Sequence, residues 1–186
     1  NQAKPGVPHF SYVEEVDVTD LEAMRREMNT KADGGEKLSI LPFIMRALVL
    51  SVPEAPYVNA LYNGDRQEVH IYDEIRLGIA VATDKGLMVP VIGNAQKKDV
   101  YEAAAAIRHV AEAARDGTAS RDELVGSTMT LTSLGALGGI ASTPVLNPPE
   151  VAIIGVNKVR TAPVWNGEAF EPRQLMNLSC SFDLSL

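Results

Sequence analysis

The order of helix-like and strand-like segments is the feature that most constrains the fold. Residues 10–18 alternate as a strand does, and Leu21, Met24 and Met28 then recur with helical spacing. Further helices are predicted over residues 40–52 and from residue 100 onward. Strand-like segments cluster late in the chain, at residues 127–132, 151–156, 162–165 and 174–182. Helices interleaved early and strands grouped late favour an α/β sandwich in which helices flank a mixed sheet over a doubly wound parallel sheet.

Capping residues mark the predicted helix ends and turns. The pairs Thr19/Glu22 and Asp99/Glu102 have capping-box spacing, and Gly117 is placed to end the helix that Asp99 begins. We expect Ser39 to cap the second helix and Ser120/Glu123 to begin a short one. Other predicted strands are residues 69–72, 77–83 and 87–92, with a hairpin turn at Asn166-Gly167.

Length, charge and cysteine content narrow the class of protein. The 186 residues suit one domain, and the net charge of −7 with no Lys/Arg-rich run argues against nucleic-acid binding. No apolar run reaches the roughly 20 residues that a membrane span needs. Cys180 is the one cysteine, so an intrachain disulfide is excluded and a reducing compartment is expected.

Motifs that carry chemistry are sparse. His9, His70 and His109 lack metal-ligand spacing, so we predict no metal site, and no phosphate-binding glycine motif follows a strand. Thr132 and Ser133 place two hydroxyls where a strand is predicted to end. Such a hydroxyl can donate to a developing oxyanion, although the residues alone favour ordinary strand-end polarity.

Several segments, taken together and in order, resemble the catalytic core of dihydrolipoamide acyltransferases of the 2-oxoacid dehydrogenase complexes. They are PHFSYVEEVDVT (residues 8–19), KLSILPF (37–43), DKGLMVPV (84–91), TLTSLG with GG (130–135, 138–139), NPPEVAIIG (147–155) and MNLSCSFD (176–183). The resemblance implies a chloramphenicol-acetyltransferase-like fold, a two-layer sandwich with a mixed sheet flanked by helices, over one acyltransferase domain spanning residues 1–186.

The resemblance also implies what this sequence lacks. In the family the last strand runs into Asp-His-Arg-x-x-Asp-Gly, whose histidine is the catalytic base, whereas here Asp183 is followed by Leu-Ser-Leu. We therefore expect the domain's N-terminal helix and C-terminal catalytic loop and helix to be missing, and the chain as it stands to be inactive.

Site residues follow from the resemblance position by position. Thr132 would stabilise the oxyanion while an acyl group passes between a dihydrolipoyl arm and coenzyme A. Coenzyme A is expected as a substrate, the lipoyl group is expected on a separate domain, and no metal is expected. The residues implied to contact coenzyme A are Arg25, Ser39, Thr132, Ser133, Asn157 and Val159.

Assembly is implied as well. The family forms homotrimers, with the active site between subunits, that build a cubic or icosahedral core and work with lipoyl domains and dehydrogenase components. We expect the protein to be located in the bacterial cytoplasm, or in the mitochondrial matrix if it comes from a eukaryote. The acyl group, which could be acetyl, succinyl or branched-chain, stays open. Two alternatives are a catalytically silent scaffold subunit of the same core and a chloramphenicol-type acetyltransferase.

Overall fold

The computed structural model describes residues 8–32, 34–133 and 138–184. In these ranges the α-helices are α1 (Thr19–Lys31), α2 (Leu41–Ser51) and α3 (Val100–Asp116), and single 3₁₀ turns lie at Val52–Glu54, Pro56–Val58 and Ala95–Lys97. The strands are β1 (His9–Asp17), β2 (Ala60–Asn63), β3 (Glu68–Ile71), β4 (Leu77–Thr83), β5 (Gly86–Met88), β6 (Val91–Ile92), β7 (Met129–Ser133), β8 (Ala152–Val156), β9 (Arg160–Trp165) and β10 (Phe170–Asp183).

One mixed sheet organises the described chain, in the order β1-β10-β8-β7-β4-β5, with β6 beside β4 and β9 beside β10. The pairs β4–β7 and β7–β8 are parallel, and the other pairs are antiparallel. Strands β2 and β3 form a separate hairpin. The predicted mixed sheet is therefore confirmed.

The two faces of this sheet have different compositions because successive side chains in a strand point to opposite sides. Leu131 and Ile154 lie on the face that packs against α2 and α3, in a core that also holds Met45 and Val110. The opposite face carries mostly small and polar residues, Thr130, Thr132, Gly155, Ser179 and Ser181, with Ile153 between Thr130 and Ser181. The sheet thus has one apolar face under helices and one polar face available for a site.

Residues 139–149 cross the polar face. The backbone N–H of Ser142 donates to the hydroxyl of Ser179 (3.1 Å), and the Asn177 amide donates to the carbonyl of Ile140 (2.8 Å). Ser179 is fully buried as a result. This irregular segment covers part of the polar face and is held there by hydrogen bonds to the side chains of Ser179 and Asn177.

Helix α3 follows the sequence prediction closely. Asp99 accepts from the backbone N–H of Glu102 (2.8 Å) while the Glu102 carboxylate accepts from the Asp99 N–H (2.9 Å), which completes the capping box. Gly117 ends the helix at φ +72°, a conformation that glycine adopts without steric cost. Among the helices of the described ranges, none is long and apolar enough to cross a membrane.

The predictions for the start of α1 and α2 were wrong. Thr19 is the first residue of α1 and makes no side-chain cap, because Asp17 accepts both its N–H (3.0 Å) and its hydroxyl (2.6 Å). Ser39 is exposed and does not cap α2, which begins at Leu41 after Ile40.

The predicted short helix at Ser120 is also absent from the described structure. Ser120 and Glu123 do exchange hydrogen bonds (3.3 and 2.9 Å). Arg76, however, donates to the carbonyls of Asp122, Val125 and Gly126, which holds the segment in its non-helical path. The segment forms turns instead.

Candidate functional site

Thr132 lies near the end of β7, in the middle of the polar face. Its neighbours in register are Ala80 of β4 and Gly155 of β8, and Gly155 is in turn opposite Ser179 of β10. The Thr132 side chain is partly exposed. Within the described residues its hydroxyl takes part in no hydrogen bond. The hydroxyl is therefore a donor that a bound molecule could use.

Thr130 provides a contrast on the same face of the same strand. Its hydroxyl donates to Glu150 (2.6 Å), which also accepts from the Asn147 amide (3.0 Å) and from the Ser127 hydroxyl. Glu150 is only 2% exposed, and burial raises the pKa of its carboxyl group. Thr130 is thus committed to a buried network, while Thr132 is not.

The side chain of Ser133 does not join that of Thr132. Strand alternation directs it to the other face, where its neighbour in register is Val156. Thr132 and Ser133 therefore cannot line one side of a channel together. The remainder of the loop predicted after them, residues 134–137, lies outside the described residues.

The side chain of Asn157 lies next to Ser179, which belongs to the same row of paired residues as Thr132 and Gly155, but it points into the interior. It is 4% exposed, and its side-chain oxygen accepts from the hydroxyl of Ser179 (2.7 Å). Val159 is partly buried and packs against the apolar core. The Asn157 side chain is thus held inside the described structure and the Val159 side chain is partly covered by the core, and their contact with coenzyme A stays a prediction.

Arg25 and Ser39 form a second group, between α1 and the start of α2. The guanidinium of Arg25 donates through Nε and Nη2 to both oxygens of Glu22 (2.8 Å each) and through Nη1 to the carbonyl of Leu38 (3.0 Å). Asn29 also binds the Leu38 backbone, donating to its carbonyl (2.9 Å) and accepting its N–H (2.7 Å). The residue before Ser39 is therefore held firmly next to Arg25.

This arrangement leaves Arg25 able to bind an anion. A guanidinium has five N–H donors, and three are used, two by Glu22 and one by Leu38. The hydrogen bonds from Arg25 lower the pKa of the buried Glu22 carboxyl group, although burial opposes that shift. With Arg26 at 3.9 Å from Glu22, two cations surround one carboxylate, and the group keeps a net positive charge.

Sequence reasoning missed Glu22 and Glu150 as site-forming residues. The spacing of three between Glu22 and Arg25 is a sufficient signal for an ion pair on one helix face. No spacing signal could bring Glu150 to Thr130, because their contact depends on how β7 and β8 pair.

Two of the three histidines lie beside surface carboxylates, and the third begins a strand. His70 lies 3.2 Å from Glu68, and His109 lies 2.6 Å from Glu123, both on the surface. His9 begins β1 opposite Asp183. Within the described ranges, no group of three His, Cys, Asp or Glu residues could hold a metal ion.

The sequence of the chain matches the model of a known protein family over nearly its whole length. The family model described as 2-oxoacid dehydrogenases acyltransferase (catalytic domain) matches residues 1–184. The chain belongs to this acyltransferase family. The resemblance inferred from the motifs is confirmed.

Relatives and solved structures agree with that assignment. The chain is 51% identical to the lipoamide acyltransferase component of a branched-chain alpha-keto acid dehydrogenase complex from Pseudomonas aeruginosa, over 97% of this chain and 42% of the relative. It is 40% identical to the acetyltransferase component of the pyruvate dehydrogenase complex from Azotobacter vinelandii, over 95% of this chain and 28% of the relative. The chain thus spans less than half of these relatives.

Among solved structures, a dihydrolipoamide acetyltransferase from Azotobacter vinelandii superposes on this chain with a TM-score of 0.90. That structure was used to study the catalytic role of a serine, a histidine and an asparagine. It is 39% identical, and the match covers 96% of this chain and 74% of that one. A chloramphenicol acetyltransferase superposes with a TM-score of 0.60 at 15% identity, over 96% and 80% of the two chains, which shows a shared fold alone. The predicted fold class of this acyltransferase family member is confirmed.

Proposed function

We propose that this chain is the catalytic core of a dihydrolipoamide acyltransferase, which moves an acyl group between a dihydrolipoyl arm and coenzyme A. Family membership supports the reaction class. The observation that carries the proposal within the chain is the Thr132 hydroxyl, which is exposed enough to meet a substrate and has no hydrogen-bond partner among the described residues.

The chemistry needs a base and an oxyanion donor. A base removes the proton from the coenzyme A thiol, and the thiolate attacks the thioester carbonyl carbon of the acylated dihydrolipoyl group. Negative charge builds on the carbonyl oxygen, where Thr132 donates its O–H. The bond to the dihydrolipoyl sulfur then breaks, and that sulfur takes back the proton from the base. No covalent acyl-enzyme is required.

The base comes from outside the described residues in this proposal. In a homotrimer with its active site between subunits, a histidine of a neighbouring subunit faces Thr132. Trimers then assemble into a larger core that receives lipoyl domains and dehydrogenase components, in the bacterial cytoplasm or the mitochondrial matrix. A related structure is the cubic core of a pyruvate dehydrogenase multienzyme complex (TM-score 0.90, 39% identity), which supports this assembly by analogy.

Arg25 serves the nucleotide end of coenzyme A. Its two unused N–H groups can bind a phosphate oxygen pair, and Glu22 and Leu38 hold the guanidinium so that little rotamer freedom is lost on binding. Ser39, which is exposed beside Leu38, offers a further hydroxyl to the same ligand.

The acyl group is branched-chain in this proposal. Two relatives at 51% identity are components of branched-chain alpha-keto acid dehydrogenase complexes, whereas the pyruvate dehydrogenase relatives are 36–40% identical. A pocket shaped for a branched acyl chain gains roughly 1–3 kcal/mol per added methylene over acetyl.

The test uses the full-length protein with dihydrolipoamide and a panel of acyl donors: isobutyryl-CoA, isovaleryl-CoA, acetyl-CoA and succinyl-CoA. We expect branched acyl groups to be transferred with kcat/KM at least about tenfold above acetyl. The matched control is acetyl-CoA with chloramphenicol as acceptor, which should remain unacylated. Acylated chloramphenicol, or no transfer to dihydrolipoamide from any donor, would contradict the proposal.

A further inference from the structure

One face of α1 carries three polar side chains that lie beside the chain leading into α2. Glu22, Arg25 and Asn29 are spaced three and four residues apart, so they share one side of the helix. Glu22 is buried, and Arg25 and Asn29 are partly buried. Arg25 and Asn29 both bind the backbone of Leu38, a residue of that connecting chain. The two side chains therefore meet at one residue of the connection.

Asn29 holds both backbone groups of Leu38. Its amide nitrogen donates to the Leu38 carbonyl (2.9 Å), and its amide oxygen accepts the Leu38 N–H (2.7 Å). Residues 36–39 form neither helix nor strand, and Leu38 is only 6% exposed. Buried backbone groups need hydrogen-bond partners, and here a side chain supplies bonds that a regular helix or sheet supplies elsewhere. Asn29 thus fixes the Leu38 backbone relative to α1.

The Leu38 carbonyl in turn orients the Arg25 guanidinium. Glu22 binds Nε and Nη2 of that group, but Glu22 belongs to the same helix as Arg25. The bond from Nη1 to the Leu38 carbonyl (3.0 Å) relates the guanidinium to the connection and to the exposed Ser39 that follows Leu38. A carbonyl oxygen has two lone pairs, so it can accept from Asn29 and Arg25 together. The orientation of Arg25 toward Ser39 therefore depends on where Asn29 holds this carbonyl.

We propose that Asn29 is a positioning residue for the nucleotide end of coenzyme A: it holds the Leu38 backbone and thereby fixes the Arg25 guanidinium next to Ser39. The inference rests on the proposed roles of Arg25 and Ser39 in binding coenzyme A. Asn29 itself touches no substrate. It acts by preorganisation, since a guanidinium that is already held loses little rotamer freedom when a phosphate binds.

The first test measures Asn29→Ala in the full-length protein with isovaleryl-CoA and dihydrolipoamide. We expect the KM for isovaleryl-CoA to rise about fivefold at unchanged kcat, because the Arg25 guanidinium must then be ordered when the substrate binds. Thr30→Ala is the matched control on the same helix. The Thr30 hydroxyl binds the Arg26 carbonyl within α1 (2.9 Å), so this KM should stay within about twofold of the parent.

A second substrate shows whether the effect arises at the nucleotide end. Isovaleryl-pantetheine has the reacting thioester but no nucleotide and no phosphate, so Arg25 has nothing to bind. We expect Asn29→Ala to match the parent in both KM and kcat with this substrate. A rise in KM as large as that for isovaleryl-CoA would show a general distortion of the site and would overturn the positioning role.

A double-mutant cycle with Arg25→Ala tests the link between the two residues. In the Arg25→Ala background, Asn29→Ala should change the KM for isovaleryl-CoA by less than about twofold, because no guanidinium is left to orient. Effects that multiply in the double variant would overturn the proposal. Alanine favours the helical conformation and Asn29 is only partly buried, so α1 should form in these variants. If Asn29→Ala does not fold, Asn29→Ser decides, because its short side chain cannot meet both Leu38 groups and should give the same pattern.

The Arg25→Ala variant separates this inference from the proposed function. If Arg25→Ala leaves the KM for isovaleryl-CoA unchanged, Arg25 does not bind the nucleotide end and its proposed role fails, together with that of Asn29. If Arg25→Ala raises this KM while Asn29→Ala matches the parent, Arg25 binds coenzyme A without help, and only the positioning role of Asn29 is overturned.

Discussion

The buried carboxylate of Glu150 provides the sharpest prediction of stability. It accepts hydrogen bonds from Thr130, Ser127 and Asn147 and has no cationic partner among the described residues. Glu150→Ala leaves three donors without an acceptor, while Glu150→Gln retains an amide oxygen for Ser127 and Asn147 and can donate to the Thr130 hydroxyl. The two substitutions therefore separate the loss of hydrogen bonds from the loss of charge.

The magnitude follows from the burial of those donors. An unsatisfied buried donor costs about 1–3 kcal/mol, and here Thr130 is 1% exposed whereas Ser127 and Asn147 are only partly buried. We expect Glu150→Ala to lower the free energy of unfolding by about 3–5 kcal/mol in total, and Glu150→Gln to stay within about 1 kcal/mol of the parent.

The dependence on pH has a definite sign. Burial raises the folded-state pKa of Glu150 above its ordinary value of 4.5. The free energy of unfolding therefore falls as pH rises from 4.5 through that raised pKa, because ionised Glu150 is less stable in the folded state than in the unfolded chain. Glu150→Gln cannot ionise, and its stability relative to the parent should increase over the same window.

Urea unfolding of the full-length variants at several pH values measures these effects, with the exposed Glu112→Ala on α3 as a control expected to change stability by less than about 0.5 kcal/mol. Equal destabilisation by alanine and glutamine would refute the hydrogen-bond argument. A Glu150→Ala variant as stable as the control would refute the network as a whole.

Two further predictions concern charged groups. Arg25→Ala should raise the KM for acyl-CoA about tenfold with little change in kcat. Glu22→Ala should raise this KM by a smaller factor, because the Arg25 guanidinium is then mobile. Steady-state kinetics measure both effects, and unchanged KM values would mean that Arg25 has a structural role only. Hydrogen bonds from Arg173 and Thr19 lower the pKa of Asp17 from 3.8 to about 2, so the stability it contributes is present above pH 3.8 and lost as pH falls through about 2. In urea unfolding, the difference between the parent and Asp17→Asn should shrink over this window, and a difference independent of pH would contradict it.

Short sequence patterns predicted those features of the fold that neighbouring residues determine. The capping box at Asp99 and the glycine at position 117 set both ends of α3, and the Asn166-Gly167 turn joins β9 to β10, as expected. The mixed sheet followed from the clustering of strand-like segments late in the chain. The helix ends and the turn depend on residues that are close in sequence, whereas the order of strands in the sheet does not.

Features that depend on long-range pairing escaped prediction. Strand β2 was missed because its four residues gain their strand geometry from pairing with β3. Asn157 was expected at an open channel, but the sheet register turns it toward Ser179. Ser133 was expected beside Thr132, but alternation along β7 separates their side chains. Thr132 stays a prediction from the motif match, and the sheet register places Gly155 next to it.

The turnover number of Thr132→Ala in the full-length protein tests the central claim most directly. If this hydroxyl stabilises the thioester oxyanion, kcat for acyl transfer to dihydrolipoamide should fall by roughly 10²–10³, while the KM for acyl-CoA stays within about twofold of the parent. A kcat equal to that of the parent, in a protein that folds and assembles normally, would contradict the account.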